Sequence, residues 1–135
     1  MIYRHYKGGL YLFEGYVVPY SQTKYDSIDS ISKIKCNANY KETLEELKIL
    51  EVYDGKIDSS YYVYMSENIT GILCLYKSLD GTYWLRKKDN FHEHIKVYDT
   101  NGDYEVISRF ERVNGEFLFE SISKLINKNI DKTKI

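Results

Sequence analysis

The 135-residue chain contains very little alanine, proline or cysteine, and each scarcity narrows the range of folds. Alanine occurs only at Ala38 and proline only at Pro19. Because alanine is the strongest helix former, its scarcity disfavours long helices. The two cysteines, Cys36 and Cys74, fit neither a zinc-ligand spacing nor a dense disulfide framework. We therefore expect two reduced thiols in a cytosolic protein.

Long apolar runs and a basic excess are also missing. No stretch approaches the roughly 18 apolar residues that span a membrane, and the first residues carry no apolar core of a secretion signal. We expect a cytoplasmic protein without membrane contact. The formal net charge is −1, whereas general nucleic-acid binders carry a clear basic excess. The charge balance therefore disfavours nucleic acid as a partner.

Tyrosine, by contrast, is abundant, with 15 copies, and tyrosine favours strands. Three dipeptides, Gly8-Gly9, Asp80-Gly81 and Asn101-Gly102, predict tight turns between strands. The expected strands lie in residues 3–20, 60–66, 72–77, 82–86, 91–98 and 104–107. The pattern favours an α+β fold that is mainly β, formed as a single domain over residues 1–135.

Two segments carry the spacing of amphipathic helices. In residues 41–52 the leucines Leu44, Leu47 and Leu50 lie near one face. In residues 116–127 the apolar residues recur at i, i+4, i+7 and i+8, which predicts a C-terminal amphipathic helix. We expect residues 21–39 to be irregular and residues 128–135 to form a frayed tail.

Three blocks of sequence share a pattern with one known family. Residues 3–8 read Tyr-Arg-His-Tyr-Lys-Gly, residues 84–86 read Trp-Leu-Arg, and residues 109–110 read Arg-Phe. In these blocks the chain resembles the bacterial and phage domain-of-unknown-function family 1653. The resemblance covers about half the chain, and residues 21–71 look like an insertion relative to short family members. Lys87 stands where the family has proline.

The resemblance implies a small SH3-like antiparallel β-barrel and no assigned activity. Its recurrent polar or amphipathic residues are His5, Lys7, Trp84, Arg86 and Arg109. On one interpretation they line a shallow ligand pocket, with an aromatic face for stacking and cations for an anion. On the other they are structural: Trp84 is a core aromatic, and the arginines pair with Glu14 or Glu111.

Other candidate sites are weaker. His92 and His94 would point to one face of a strand and could ligate a metal, but a third ligand is not evident, and an ordinary strand explains the same pattern. No Gly-x-Ser-x-Gly nucleophile motif is present, and Gly8-Gly9 is too short for a phosphate loop. We expect no catalytic residue, no bound metal and no cofactor.

The sequence thus favours a non-enzymatic binding module for a small anionic or nucleotide-like ligand. One version is a phage protein that sequesters a nucleotide signal of host immunity. A first alternative is a protein–protein adaptor or homo-oligomer, associating through the helix at 116–127, which is more apolar than one face requires. A second is a single-stranded nucleic-acid binder that uses the basic residues 86–88 beside Trp84. An enzyme ranks last.

Overall fold

The computed structural model describes residues 1–20, 32–55 and 58–114, and almost all regular structure within these ranges is β. One short helix, α1, interrupts the strands at Lys88–Phe91. The strands, in chain order, are β1 Ile2–His5, β2 Leu10–Pro19, β3 Ser32–Tyr40, β4 Glu46–Asp54, β5 Ser59–Tyr64, β6 Leu73–Ser78, β7 Tyr83–Lys87, β8 His94–Tyr98, β9 Tyr104–Ser108 and β10 Phe110–Arg112.

Six of these strands close on themselves in the order β2-β5-β4-β3-β7-β6, and the last pairs with the first. We call these six strands the barrel. The prediction of a small, mainly β barrel is confirmed. The expectation of a wholly antiparallel barrel is wrong, because β2 pairs with β5 and β3 pairs with β7 in parallel. Turn signals in the sequence indicate only hairpin neighbours, so they could not indicate these two non-local pairings.

The barrel interior holds the main core, in which the side chains of Val17, Ile49, Leu73, Leu75 and Leu85 are fully buried. Strand β6 is buried on both faces, because its alternate residues Cys74 and Tyr76 pack outward into a second cluster. This explains why β6 reads in the sequence as a near-continuous apolar run.

The second cluster lies outside the barrel, beneath strands β1 and β10, which we call the flap. Strand β1 pairs with both β2 and β10. The flap contributes Tyr3 and Phe110 to this cluster, and α1 contributes Phe91, whose ring stacks on that of Phe110 at 4.3 Å between centroids. Aromatic packing of this kind fixes the flap on the outer wall of the barrel.

The helix expected at 41–52 is wrong: the chain turns at 41–43 and then forms β4 from Glu46. Leu47 and Ile49 are both buried, which is the two-residue spacing of a strand, and Leu44 is 66% exposed with φ at +63°. Glu, Leu and Lys are good helix formers, but pairing with β3 and β5 on both sides overrides that preference.

The expectation of irregular structure at 21–39 is also wrong where it can be compared, because residues 32–40 form β3. Residues 21–31 lie outside the described residues. The segment 21–71, interpreted as an insertion, supplies the three barrel strands β3, β4 and β5. The helix expected at 116–127 and the tail at 128–135 also lie outside the described residues.

The three predicted turns are confirmed. Gly8 and Gly9 adopt φ of +96° and +88° between β1 and β2, and Gly81 and Gly102 adopt similar angles between β6 and β7 and between β8 and β9. Strand β10 pairs with β1. In the part of the chain that is described, no helix has the length and apolar character to cross a membrane.

Candidate functional site

The flap and strand β7 bring the predicted site residues towards one surface. Side chains alternate along a strand, so Trp84 and Arg86 point outward from β7 while Leu85 between them is buried in the core. His5 ends β1, and Lys7 lies in the turn that follows it. The two segments meet because Phe110 of the flap packs in the same cluster as Trp84.

Between these segments lies a depression of about 450 Å³, the first depression. Four of the five predicted residues line it: His5, Lys7, Trp84 and Arg86. The remaining lining residues are Gly8, Tyr11, Lys41, Tyr76, Ser78, Asp80 and Phe110. Arg109 does not line it; its Nη2 atom instead lies 2.8 Å from Oε2 of Glu93. Neither Glu14 nor Glu111 pairs with Arg86 or Arg109, since Glu111 binds Arg4.

Arg86 is held in place by neutral partners. Its Nε donates to the hydroxyl of Tyr76 at 2.9 Å, and its Nη1 donates to Oδ1 of Asn90 at 2.8 Å. The guanidinium carbon lies 5.4 Å from the centre of the Phe110 ring. Within residues 1–20, 32–55 and 58–114, no carboxylate forms an ion pair with Arg86. Its charge is therefore positioned but not neutralised.

Lys41 is a site residue that the sequence did not reveal. Its backbone N–H donates to the carbonyl of Leu85 at 2.9 Å, which ties the end of β3 to β7. Its ammonium lies 4.6 Å from the centre of the Trp84 ring. Lys41 was assigned to the start of a helix, and only the parallel pairing of β3 with β7 places it here. The Trp84 ring therefore makes a cation–π contact with Lys41.

The pKa of His5 reflects both its burial and the positive charge around the depression. It is lowered from 6.5 to about 4, first by burial and then by the charges of Arg86, Arg109, Lys7 and Lys41. Its Nδ1 accepts a hydrogen bond from the backbone N–H of Lys7 at 3.2 Å, and its ring meets Phe110 edge-to-face. His5 is therefore a neutral wall residue at neutral pH.

One carboxylate, that of Asp80, lies at the rim of the first depression. It accepts hydrogen bonds from the hydroxyl of Ser78 and from the backbone N–H of Thr82, the latter at 3.0 Å. These bonds lower its pKa and hold the β6–β7 turn together. The Asp80 carboxylate is thus bound to its own turn and not to a cation of the depression.

A second depression, of about 520 Å³, adjoins the first and shares Lys41 and Arg86 with it. Its other lining residues are Tyr40, Glu42, Lys87 and Asn90. Glu42 accepts a hydrogen bond from the hydroxyl of Tyr40 at 2.7 Å. Each depression therefore contains several cations and one carboxylate that already has a hydrogen-bond donor.

The histidine pair considered as a metal site is divided between two elements. His92 follows α1 and its Nε2 lies 3.0 Å from the hydroxyl of Tyr16, whereas His94 begins β8 and its Nε2 lies 3.5 Å from Oγ of Ser108. The expectation that both histidines share one strand face is wrong. Across the described ranges, no group of three His, Cys, Asp or Glu side chains is arranged to hold a metal.

Both cysteines have thiols that resist ionisation. Burial raises the pKa of Cys74 to about 12 and that of Cys36 to about 11. Cys74 is fully buried in the second cluster. Because the thiolate is the reactive form, both thiols are poor nucleophiles at neutral pH.

Comparison with known proteins gives no match: no protein-family model, no curated protein and no solved structure matches the chain. The resemblance to family 1653 therefore remains a prediction from the three sequence blocks.

Proposed function

We propose that the protein is a binding module for a small phosphorylated, nucleotide-like anion, which it holds in the first depression without chemical turnover. The observation that carries the proposal is the convergence of Lys7, Lys41 and Arg86 on one depression. In the part of the chain described by the structure, none of these three cations is in an ion pair. Such a group of un-neutralised cations favours an anionic ligand.

Phosphate suits these donors better than a simple halide or a single carboxylate. Arg86 donates from Nε to the Tyr76 hydroxyl and from Nη1 to the Asn90 side chain. Its Nη2 group remains available to a ligand. The ammonium groups of Lys7 and Lys41 add further donors to the first depression. A phosphate monoester presents three acceptor oxygens and close to two negative charges, whereas a carboxylate has two oxygens and one charge. The phosphate can therefore accept from the arginine and from both lysines together.

Binding without turnover is supported by the poor acid–base chemistry of the depression. A histidine with a pKa of about 4 is a weak base at pH 7, and general bases work best with a pKa near the working pH. The two thiols have pKa values far above neutrality. These properties support a ligand-holding role over a catalytic one.

The resemblance to a family that occurs in phages supplies a concrete version of the proposal. In this version the protein sequesters a nucleotide signal of host immunity, so it binds tightly and releases the ligand chemically unchanged. The two depressions are compatible with a ligand of nucleotide size, because small-molecule sites occupy about 300–1,000 Å³.

Isothermal titration calorimetry with adenosine 5′-monophosphate and with adenosine tests the proposal. We expect the phosphate-bearing probe to bind and adenosine to bind at least about tenfold more weakly, since charge-assisted hydrogen bonds carry the affinity. Arg86→Gln should weaken the monophosphate by about tenfold or more. As a control, Lys88→Gln removes a positive charge near Arg86 in the sequence but outside both depressions. It should change the affinity for the monophosphate little.

Two results would count against the proposal. Equal binding of adenosine and its monophosphate would show that the cations do not recognise the ligand. Recovery of a chemically altered probe after incubation, seen by phosphorus NMR, would replace the binding module with an enzyme.

A second candidate, self-association, is favoured by one surface of the described residues. The hairpin β8–β9 forms a sheet of its own, and Tyr98, Tyr104 and Val106, which share one of its faces, are 54–63% exposed. Exposed apolar residues on a two-stranded sheet are typical of a surface that packs against another chain.

Light scattering tests this second candidate. We expect the unmodified chain to form a dimer and Tyr98→Ser to abolish it. If the unmodified chain is a monomer at every concentration, self-association is excluded. The helix at 116–127, the original basis for self-association, lies outside the described residues.

A further inference from the structure

The first and second depressions are neighbours that share two cations at their border. Lys41 and Arg86 line both, while Lys7 lines only the first and Lys87 lines only the second. We infer that the ligand carries two phosphate groups joined by a linker, one group in each depression, with Lys41 and Arg86 between them. This inference rests on the proposed function and names the class of ligand.

The border between the depressions is rigid. Arg86 is fixed from one side by the Tyr76 hydroxyl and from the other by Asn90, which itself lines the second depression. Lys41 is anchored through its backbone to Leu85 and lies over the Trp84 ring. Both cations lie within reach of an anionic group in either depression, and the guanidinium offers several donors in one plane.

The second depression has a cation that a single phosphate in the first would leave unused. Lys87 lines it and forms no ion pair within the described residues. With volumes of about 450 and 520 Å³, each depression is large enough for a phosphate and part of a nucleoside. A ligand that occupies both would contact Lys7 at one end and Lys87 at the other.

Glu42 supplies the sharpest test, because its carboxylate lies in the second depression and opposes an anion there. A ligand with a phosphate in this depression binds more weakly when Lys87 is neutralised and more tightly when Glu42 is neutralised. A ligand confined to the first depression responds to neither change. A general loss of folding cannot imitate this pair of opposite responses.

The experiment uses calorimetry on the full chain with two probes, adenosine 5′-monophosphate and the linear dinucleotide pApA, which carries one terminal and one bridging phosphate. We expect the dinucleotide to bind about tenfold or more tightly than the monophosphate, since it gains charge-assisted contacts in the second depression. Lys87→Gln should remove most of that gain and Glu42→Gln should increase it. Lys7→Gln should weaken both probes, and Lys88→Gln should weaken neither.

Each other outcome has a definite meaning. If the two probes bind equally and Lys87→Gln has no effect, the two-phosphate inference is overturned while the proposed function stands. If neither probe binds, the proposed function itself fails. If affinity keeps rising for a tetranucleotide and an octanucleotide, and Lys88→Gln weakens them, the site follows a nucleic-acid strand and the small-ligand inference is overturned.

Discussion

The charge state of His5 depends on the cations that surround it. Its folded pKa of about 4 lies below the usual 6.5, first because of burial and then because of Arg86, Arg109, Lys7 and Lys41. Any anion that enters the first depression offsets those charges. The pKa of His5 should therefore respond to an anion bound in the first depression.

We predict that phosphate raises the pKa of His5. Adding adenosine 5′-monophosphate should move the pKa up from about 4, because the ligand charge favours the imidazolium form. The measurement is a pH titration of the imidazole by nitrogen-edited NMR, with and without ligand. Arg86→Gln should raise the pKa of the free protein as well, and should reduce the further rise on adding ligand. A His5 titration curve that does not move with ligand would place the anion elsewhere.

We also predict that His5 makes the fold less stable in mild acid. In the unfolded chain His5 takes up a proton near pH 6.5, whereas the folded chain does so only near pH 4. The unfolded state therefore binds more protons between these values, and the free energy of unfolding falls as the pH falls through this window. Urea unfolding from pH 7 to pH 4 measures the loss.

The matched variants are His5→Gln and His94→Gln. The first should flatten the dependence on pH, since it removes the group whose pKa differs between the two states. The second leaves His5 in place and should keep the slope. Parallel slopes in the unmodified chain and in His5→Gln would contradict the assignment.

At the level of elements, the strands differ in how clearly their sequences predict them. Strand β6 is predictable because both of its faces are buried, so apolar residues run along it without interruption. Strand β4 is hard to predict, because Leu44, Leu47 and Leu50 have a spacing that fits a helix and stand among Glu and Lys. The buried residues Leu47 and Ile49 show the strand spacing only in the structure. Tight turns are predictable since Gly adopts positive φ without strain.

The burial of β6 in the barrel interior gives a prediction about the stability of the fold. Leu75 is fully buried in the barrel interior, so Leu75→Ala should lower the free energy of unfolding by about 2–5 kcal/mol. Leu79, in the turn that follows β6, is 84% exposed. Leu79→Ala should change the free energy of unfolding by less than about 0.5 kcal/mol. Denaturant titration of both variants checks the pair. Equal losses would mean that Leu75 does not belong to the barrel core.

For the whole molecule, the sequence indicates a mainly β fold and most of the site residues, but not how the strands close. Four residues of the first depression come from blocks that the family resemblance had marked, His5, Lys7, Trp84 and Arg86. Lys41 and the second depression depend on the parallel pairing of β3 with β7, which joins residues about 45 positions apart. Local sequence patterns carry no information about such a pairing.

The first depression lies between the flap and the barrel, and this position gives a final prediction. A ligand that contacts His5 and Lys7 on one side and Lys41 and Arg86 on the other should tie the flap to the barrel wall. Binding at a junction stabilises whichever opening would separate its two sides. We expect the ligand to slow amide hydrogen exchange in peptides that cover 2–9 and 110–112 as well as 40–43 and 84–88. Hairpin β8–β9, whose residues line neither depression, supplies the internal control and should exchange at the same rate with and without ligand.

Arg86→Gln should remove the protection from both sides together, because the arginine is the contact that the two sides have in common. Protection that appears only in residues 84–88 would mean that the ligand touches the barrel alone and that the flap has no part in binding.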